Sequence, residues 1–206
     1  MPDEAPSFTF MAGLPIAQEA LAYARELHRG QRRDSDAAPF ILHPLEVAAL
    51  LHNSNQPQHV VVAGILHDAI EDSDAQSKDI AERFGAQVAA IVAAMTEDPA
   101  IEEYTARKAA LRDQIARFGN DAIAVYAADK VAKVRELRAQ IGRDPSLLQD
   151  PDENLRLRLD HYGESLGMLE HADRNHPIVR QLRFELEALR ALPPAGIRPG
   201  EVSAGA

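Results

Sequence analysis

The fold turns on the stretch Val60-Val61-Val62-Ala63-Gly64-Ile65-Leu66-His67-Asp68-Ala69-Ile70-Glu71-Asp72. An apolar run broken only by one His-Asp pair reads as a buried strand or a buried helix. Eleven residues from Val60 to Ile70 exceed a usual strand, and Ala63, Gly64 and Ala69 suit a helix better than a pleated surface. The run is therefore predicted to be a buried helix that ends in the acidic cluster Glu71-Asp72-Ser73-Asp74.

Helical periodicity continues on both sides. Residues 16–28 carry Ala20, Leu21, Ala24 and Leu27 at three-and-four spacing, and Gly30 stops that helix. A loop over 31–40 follows, after which His43 opens a helix with Pro44 in the favoured first position. Further helices are expected over 77–84, 86–96, 102–118, 121–141, 154–171 and 178–192, separated by Gly85, Pro99, Gly119, a loop from Asp144 to Pro151, and Pro177. The expected architecture is all-α, one helical bundle over 14–192, with an N-terminal arm at 1–13 and a Pro, Gly and Ala rich flexible tail at 193–206.

Composition agrees. Of 206 residues, 46% are hydrophobic and only 5% aromatic, a balance that favours packed helices. There is no cysteine, which excludes disulfides, thiolate metal sites and cysteine nucleophiles. The acidic start and the shortness of every apolar run argue against a signal peptide or a membrane helix, so a soluble cytoplasmic protein is expected. A formal net charge of −10 argues against binding a nucleic-acid polymer. Any phosphorylated substrate must be captured locally.

His67, Asp68, Glu71 and Asp72 crowd one imidazole and three carboxylates onto the end of an apolar helix, where like charges would repel and lose hydration. A lone His-Asp pair is usually a satisfied core histidine beside a solvated acid. Two further residues shift that balance: His43 at a helix start, and Asp129 isolated in the apolar run from Ala122 to Ala128. Two His and two Asp, namely His43, His67, Asp68 and Asp129, make a mixed nitrogen and oxygen set suited to manganese, iron or a similar divalent ion with open positions.

In this order those residues resemble the H…HD…D signature of the HD phosphohydrolases. Leu27-His28-Arg29-Gly30-Gln31-Arg32-Arg33, Pro39-Phe40-Ile41-Leu42-His43-Pro44, the stretch from Gly64 to Asp72, and Ala127-Ala128-Asp129-Lys130 are similar to the hydrolase domain of the RelA/SpoT family and of stand-alone small alarmone hydrolases. The resemblance implies a single HD-type helical domain, one divalent ion (usually manganese), and removal of the 3′-pyrophosphate from guanosine tetra- or pentaphosphate. It implies Glu71 and Asp72 as the pair that positions and activates water, and Arg33, Lys130 and Arg135 as phosphate-contacting or nearby basic residues, with Arg107 and Lys108 as weaker candidates. Each basic residue also reads as an ordinary solvated helix residue. His28 matches a family position and equally suits a helix C-terminus. His52, His59, His161, His171 and His176 are read as surface or local structural residues, and Tyr162 as packing.

Three departures concern substrate. Lys133 stands where the family carries Asn, Asp34 follows Arg33 where a base is usual, and the 30–43 loop is one residue longer, with Asp36-Ala37-Ala38 in the turn. Lys133 remains a candidate substrate contact. These departures keep two alternatives open: an HD phosphohydrolase acting on another nucleotide or small phosphate ester, and a catalytically silent nucleotide-binding module. Oligomeric state is not legible.

Overall fold

The structure, a computed structural model, describes residues 9–191. The expected tail at 193–206 and most of the expected N-terminal arm lie outside the described residues. Ten α-helices follow a short 3-10 turn at Thr9–Met11: α1 Pro15–Leu27, α2 Leu42–Asn53, α3 Gln58–Leu66, α4 Ser77–Phe84, α5 Ala86–Met95, α6 Tyr104–Phe118, α7 Asn120–Arg143, α8 Ser146–Gln149, α9 Glu153–Asp173 and α10 Pro177–Arg190. Among the described residues the only β pairing is an isolated bridge between Arg32 and Pro39. No helix among them is long and apolar enough to cross a membrane.

Local chemistry sets these boundaries. Pro15 and Pro177 occupy the first turns of α1 and α10, where a missing N–H costs nothing. Gln76 and Asp79 close a reciprocal cap on α4, and the Glu103 carboxylate accepts from the amides of Thr105 and Ala106 at the start of α6. Gly85 and Gly119 each end one helix and begin the next at φ 93° and 109°, a conformation that favours glycine.

α3 is the central rod. Every residue from Val60 to Leu66 is buried, because α1, α2, α5 and α7 surround it. α7, 24 residues long, crosses the bundle and packs on α2, α3, α6, α9 and α10. Gly64 lets α2 come close: a Cβ there would meet Leu51 Cδ1 at 2.4 Å and Val47 Cγ1 at 3.3 Å.

Two expectations need correction. α3 ends at Leu66 rather than at Ile70. The Ala69 amide bonds the Leu66 carbonyl and the Asp72 amide bonds the Asp68 carbonyl, so the chain continues as tight turns instead of a regular helix. The loop expected from Asp144 to Pro151 contains the one-turn α8, whose Ser146 amide and hydroxyl both donate to Asp144 Oδ1. Met11, within the stretch expected as an N-terminal arm, is buried in the core, and its carbonyl accepts from Gln18 Nε2 at 2.8 Å.

Candidate active site

The first turn of α2, the end of α3 and the middle of α7 meet, and each brings buried polar groups. His43 sits on α2, His67 caps α3, and Asp129 lies at the centre of α7, with 2–3% of each residue exposed. One ligand atom from each of the three falls within 4.8 Å of the others. His43 Nε2 lies 3.1 Å from Asp129 Oδ1 and 3.6 Å from Asp68 Oδ2, while His67 Nε2 lies 3.1 Å from Asp68 Oδ1 and 3.7 Å from Asp129 Oδ1. The four residues singled out as metal ligands are thus brought together.

Two observations show that this set fits a cation. Asp68 Oδ2 and Asp129 Oδ1 are buried with no hydrogen bond among the described residues, which is costly unless something else satisfies them. His67 Nδ1 bonds the Gly64 carbonyl at 2.8 Å, which turns Nε2 toward the carboxylates. Burial opposes charge on His67, yet Asp68 and Asp129 outweigh it and push its pKa up to about 10. Burial likewise works against both aspartates. His67 and Lys133 pull Asp68 below the usual carboxylate range, and Lys130 and Lys133 do the same for Asp129. The cluster is a concentrated negative site that draws positive charge, as a divalent-ion site does.

Glu71 and Asp72 lie on the turn that follows and are exposed, outside the close cluster. Surrounding protein raises both pKa values, with Glu97 and then Asp68 adding to the effect at Glu71, and Asp68 at Asp72. A latch fixes this turn: Gln31 Nε2 donates to the Asp72 carbonyl at 2.8 Å, while Gln31 Oε1 lies 2.8 Å from His28 Nδ1. His28 is therefore a buried tie between the 31–40 loop and the acidic turn, not merely a group at a helix end.

Of the cluster, His43 lines a cleft of about 440 Å³ whose walls also carry Arg32, Arg33, Lys108, Lys130, Lys133 and Arg158, together with Asp34 and Glu136. Among the substrate candidates, Lys130 is buried, with Nζ 2.7 Å from Asp129 Oδ2 and 4.5 Å from the centre of the Tyr126 ring. Burial disfavours its charge, but Asp129 holds its pKa above the usual lysine range. Lys133 reaches to 3.8 Å from Asp129 Oδ1. Arg33 lines the cleft but is shared with Asp36 and, at 3.8 Å, with Glu136.

Arg135 is not brought to the cleft. Its Nε and NH1 bond Glu185 at 2.7 Å and Glu46 at 3.0 Å, and Arg138 completes a network that ties α7 to α10 and α2. The sequence pattern could not reveal this, because the partners lie 50 and 89 residues away. Of the weaker pair, Lys108 lines the cleft with its Nζ paired to Glu97, and Arg107 is held by the same carboxylate and by the carbonyls of Ile101 and Glu102.

Sequence reasoning missed Tyr104, Asn154, Arg158, His161 and Tyr162, all on the cleft wall. His161, expected at the surface or in local structure, and Tyr162, expected in packing, are buried at that wall. The only sequence signal was polar residues on one side of the α9 stretch, and nothing there indicated that α9 folds back over the ligands.

This is the helical frame of an HD domain, and the chain belongs to the HD domain family, whose model matches residues 20–146. Among its relatives is the guanosine-3′,5′-bis(diphosphate) 3′-pyrophosphohydrolase MESH1 of Drosophila melanogaster. The two are 31% identical over 180 residues, covering 77% of this chain and all of that protein. A GTP pyrophosphokinase of Myxococcus xanthus is 39% identical over 84 residues, 41% of this chain but only 11% of that much longer protein. A solved metazoan SpoT orthologue, described as hydrolysing ppGpp, superposes with a TM-score of 0.68 at 26% identity over 93% of this chain and all of that one.

Proposed function

We propose that the chain hydrolyses the 3′-pyrophosphate of guanosine tetra- or pentaphosphate in the cytoplasm, with manganese as its ion. One observation carries the reading: in a chain of net charge −10, the His43, His67, Asp68 and Asp129 cluster meets, through His43, a cleft whose wall carries six cationic and two acidic side chains. A small polyphosphorylated nucleotide matches a local cationic cleft in a protein whose net charge disfavours a nucleic-acid polymer. The names borne by the full-length relatives support the same substrate.

Held by those four residues, a divalent ion would polarise a phosphoryl oxygen and make water acidic enough to ionise near neutrality. The chain supplies the rest. Glu71 and Asp72 take up the proton of the attacking water, and their raised pKa values make them stronger bases than free carboxylates. Water adds across the bond between the 3′ oxygen and the pyrophosphate, releasing pyrophosphate and either GDP from the tetraphosphate or GTP from the pentaphosphate. Arg33, Lys108 and Lys133 offset the phosphate charge, Arg33 with the planar fork that suits phosphate oxygens. Lys130 acts through Asp129, fixing its carboxylate for the ligand cluster.

Asp34 and Lys133 both stand on the cleft wall, which favours one second reading, hydrolysis of a related nucleotide by the same centre. Purified protein reloaded with manganese is to be incubated with guanosine tetraphosphate and followed by chromatography, with Asp68→Ala as control. Release of GDP and pyrophosphate that disappears in the control establishes the activity. Absence of turnover by protein with measured bound metal refutes it and selects the second reading, tested with other nucleotides in the same assay.

A further inference from the structure

His161, on α9, forms part of the cleft wall and is 4% exposed. Arg112 NH1 lies 3.0 Å from its Nδ1, and Arg112 is itself held by Glu164 at 2.7 Å. A guanidinium has only donors, so Nδ1 must present its lone pair, and the proton of the neutral ring belongs on Nε2. That Nε2 is buried with no hydrogen-bond partner among the described residues. The ring is braced by Tyr104, edge-on at 6.4 Å, and by Tyr162 at 5.8 Å, and the His161 carbonyl accepts from Ser165 Oγ, which in turn meets Tyr126 OH at 2.8 Å. Burial first, then Lys130, Lys108 and Arg112, hold the His161 pKa down to about 2, in keeping with a neutral ring.

A donor fixed in tautomer, braced on three sides and left without an acceptor carries the full cost of its lost hydration. Its place on the cleft wall, among Lys108, Lys130 and Arg158, indicates what repays that cost. We propose that His161 is a specificity-determining residue that donates its Nε2–H to a phosphate oxygen of the bound nucleotide. The proposal rests on the hydrolase reading for its substrate class. A neutral donor on a braced ring adds direction to a wall whose cations are shared with carboxylates, so it selects where a phosphate sits as well as that one is present.

Two substitutions separate this role from a purely structural one. His161→Asn keeps an acceptor near the Nδ1 position for Arg112 but falls short of Nε2, whereas His161→Gln places an N–H near Nε2 and gives up the Nδ1 acceptor. With guanosine tetraphosphate and manganese, His161→Asn is expected to raise KM about tenfold with kcat little changed, and His161→Gln to restore KM to within about threefold, the size of one hydrogen bond to a charged acceptor. Urea midpoints of both variants report folding. Wild-type KM in His161→Asn overturns the proposal, as does a KM that follows loss of stability in both variants alike. Binding of the same nucleotide to metal-free protein, measured by calorimetry, keeps the two readings apart. If wild-type protein binds without turnover and His161→Asn weakens binding about tenfold, the hydrolase reading falls and the phosphate contact stands. Equal binding by wild type and His161→Asn overturns the contact.

Discussion

Gly64→Ala should destabilise the protein and loosen the metal cluster, although alanine is the better helix former. The added Cβ would lie 2.4 Å from Leu51 Cδ1 and 3.3 Å from Val47 Cγ1. Carbon atoms rest about 3.5 to 4.0 Å apart, so α2 and α3 must separate locally by about 1 Å or Leu51 must turn. Leu51 is fully buried and has no free space to turn into, and Val47 is stiff at χ1. Overpacking of this kind costs about 1 to 3 kcal/mol, and the helix-propensity gain of about 1 kcal/mol offsets part of it. The expected net loss is up to about 2 kcal/mol in urea unfolding of the metal-free protein. Gly167→Ala on α9 provides the control: its Cβ meets nothing within 4 Å, so the same change should stabilise by about 0.5 to 1 kcal/mol. Because α2 carries His43 and His67 caps α3, Gly64→Ala should also weaken manganese binding by calorimetry. A Gly64→Ala protein as stable as Gly167→Ala, with wild-type manganese affinity, would refute the close-packing argument.

Asp129→Asn removes the carboxylate that both histidines and Lys130 face, so manganese retention after dialysis should fall by about 10²-fold or more, with turnover lost alongside it; retention at the wild-type level would show that Asp129 is not a ligand. Glu185→Ala strips Arg135 and Arg138 of a buried partner and should cost about 1 to 3 kcal/mol of stability while leaving KM unchanged. A raised KM at unchanged stability would instead return Arg135 to the substrate. The pKa of His161 is about 2 when folded, against 6.5 ordinarily, so the unfolded chain binds the extra proton between those values. Its contribution is complete above about pH 6.5 and is lost as pH falls. His161→Gln should therefore flatten the acid side of the stability profile by about one proton, roughly 1.4 kcal/mol per pH unit, and an unchanged slope would mean that His161 protonates freely in the folded protein.

The helical frame was legible because its signals are local. Apolar spacing, Gly85, Gly119, Pro15 and Pro177 act through neighbours a few residues away, and helices α4 and α5 fall within a residue of their expected bounds. The error at the end of α3 is of another kind. Composition continued to favour a helix past Leu66, but His67 Nδ1 takes the Gly64 carbonyl and the backbone tightens into turns that aim His67 Nε2 at Asp129. The ligands His43, His67, Asp68 and Asp129 could be named because each is a polar residue in an apolar setting, a conflict visible in the chain itself. Basic residues on solvated helices carry no such conflict. Arg33 and Lys133 do reach the cleft, while Arg135 turns to Glu46 and Glu185, and both outcomes look alike in sequence.

The sequence by itself determined that the chain folds as helices and that His43, His67, Asp68 and Asp129 require a shared partner, since hydropathy, capping and the cost of burying charge are properties of short segments. Only the tertiary structure decided which cations face the cleft, that His28 and Gln31 tie the loop to the Asp72 turn, and that His161 stands on the wall with an unused donor. Those contacts depend on how distant segments pack, which joins Gln31 to Asp72 over 41 positions and Arg135 to Glu185 over 50, a distance at which hydropathy and spacing carry no information.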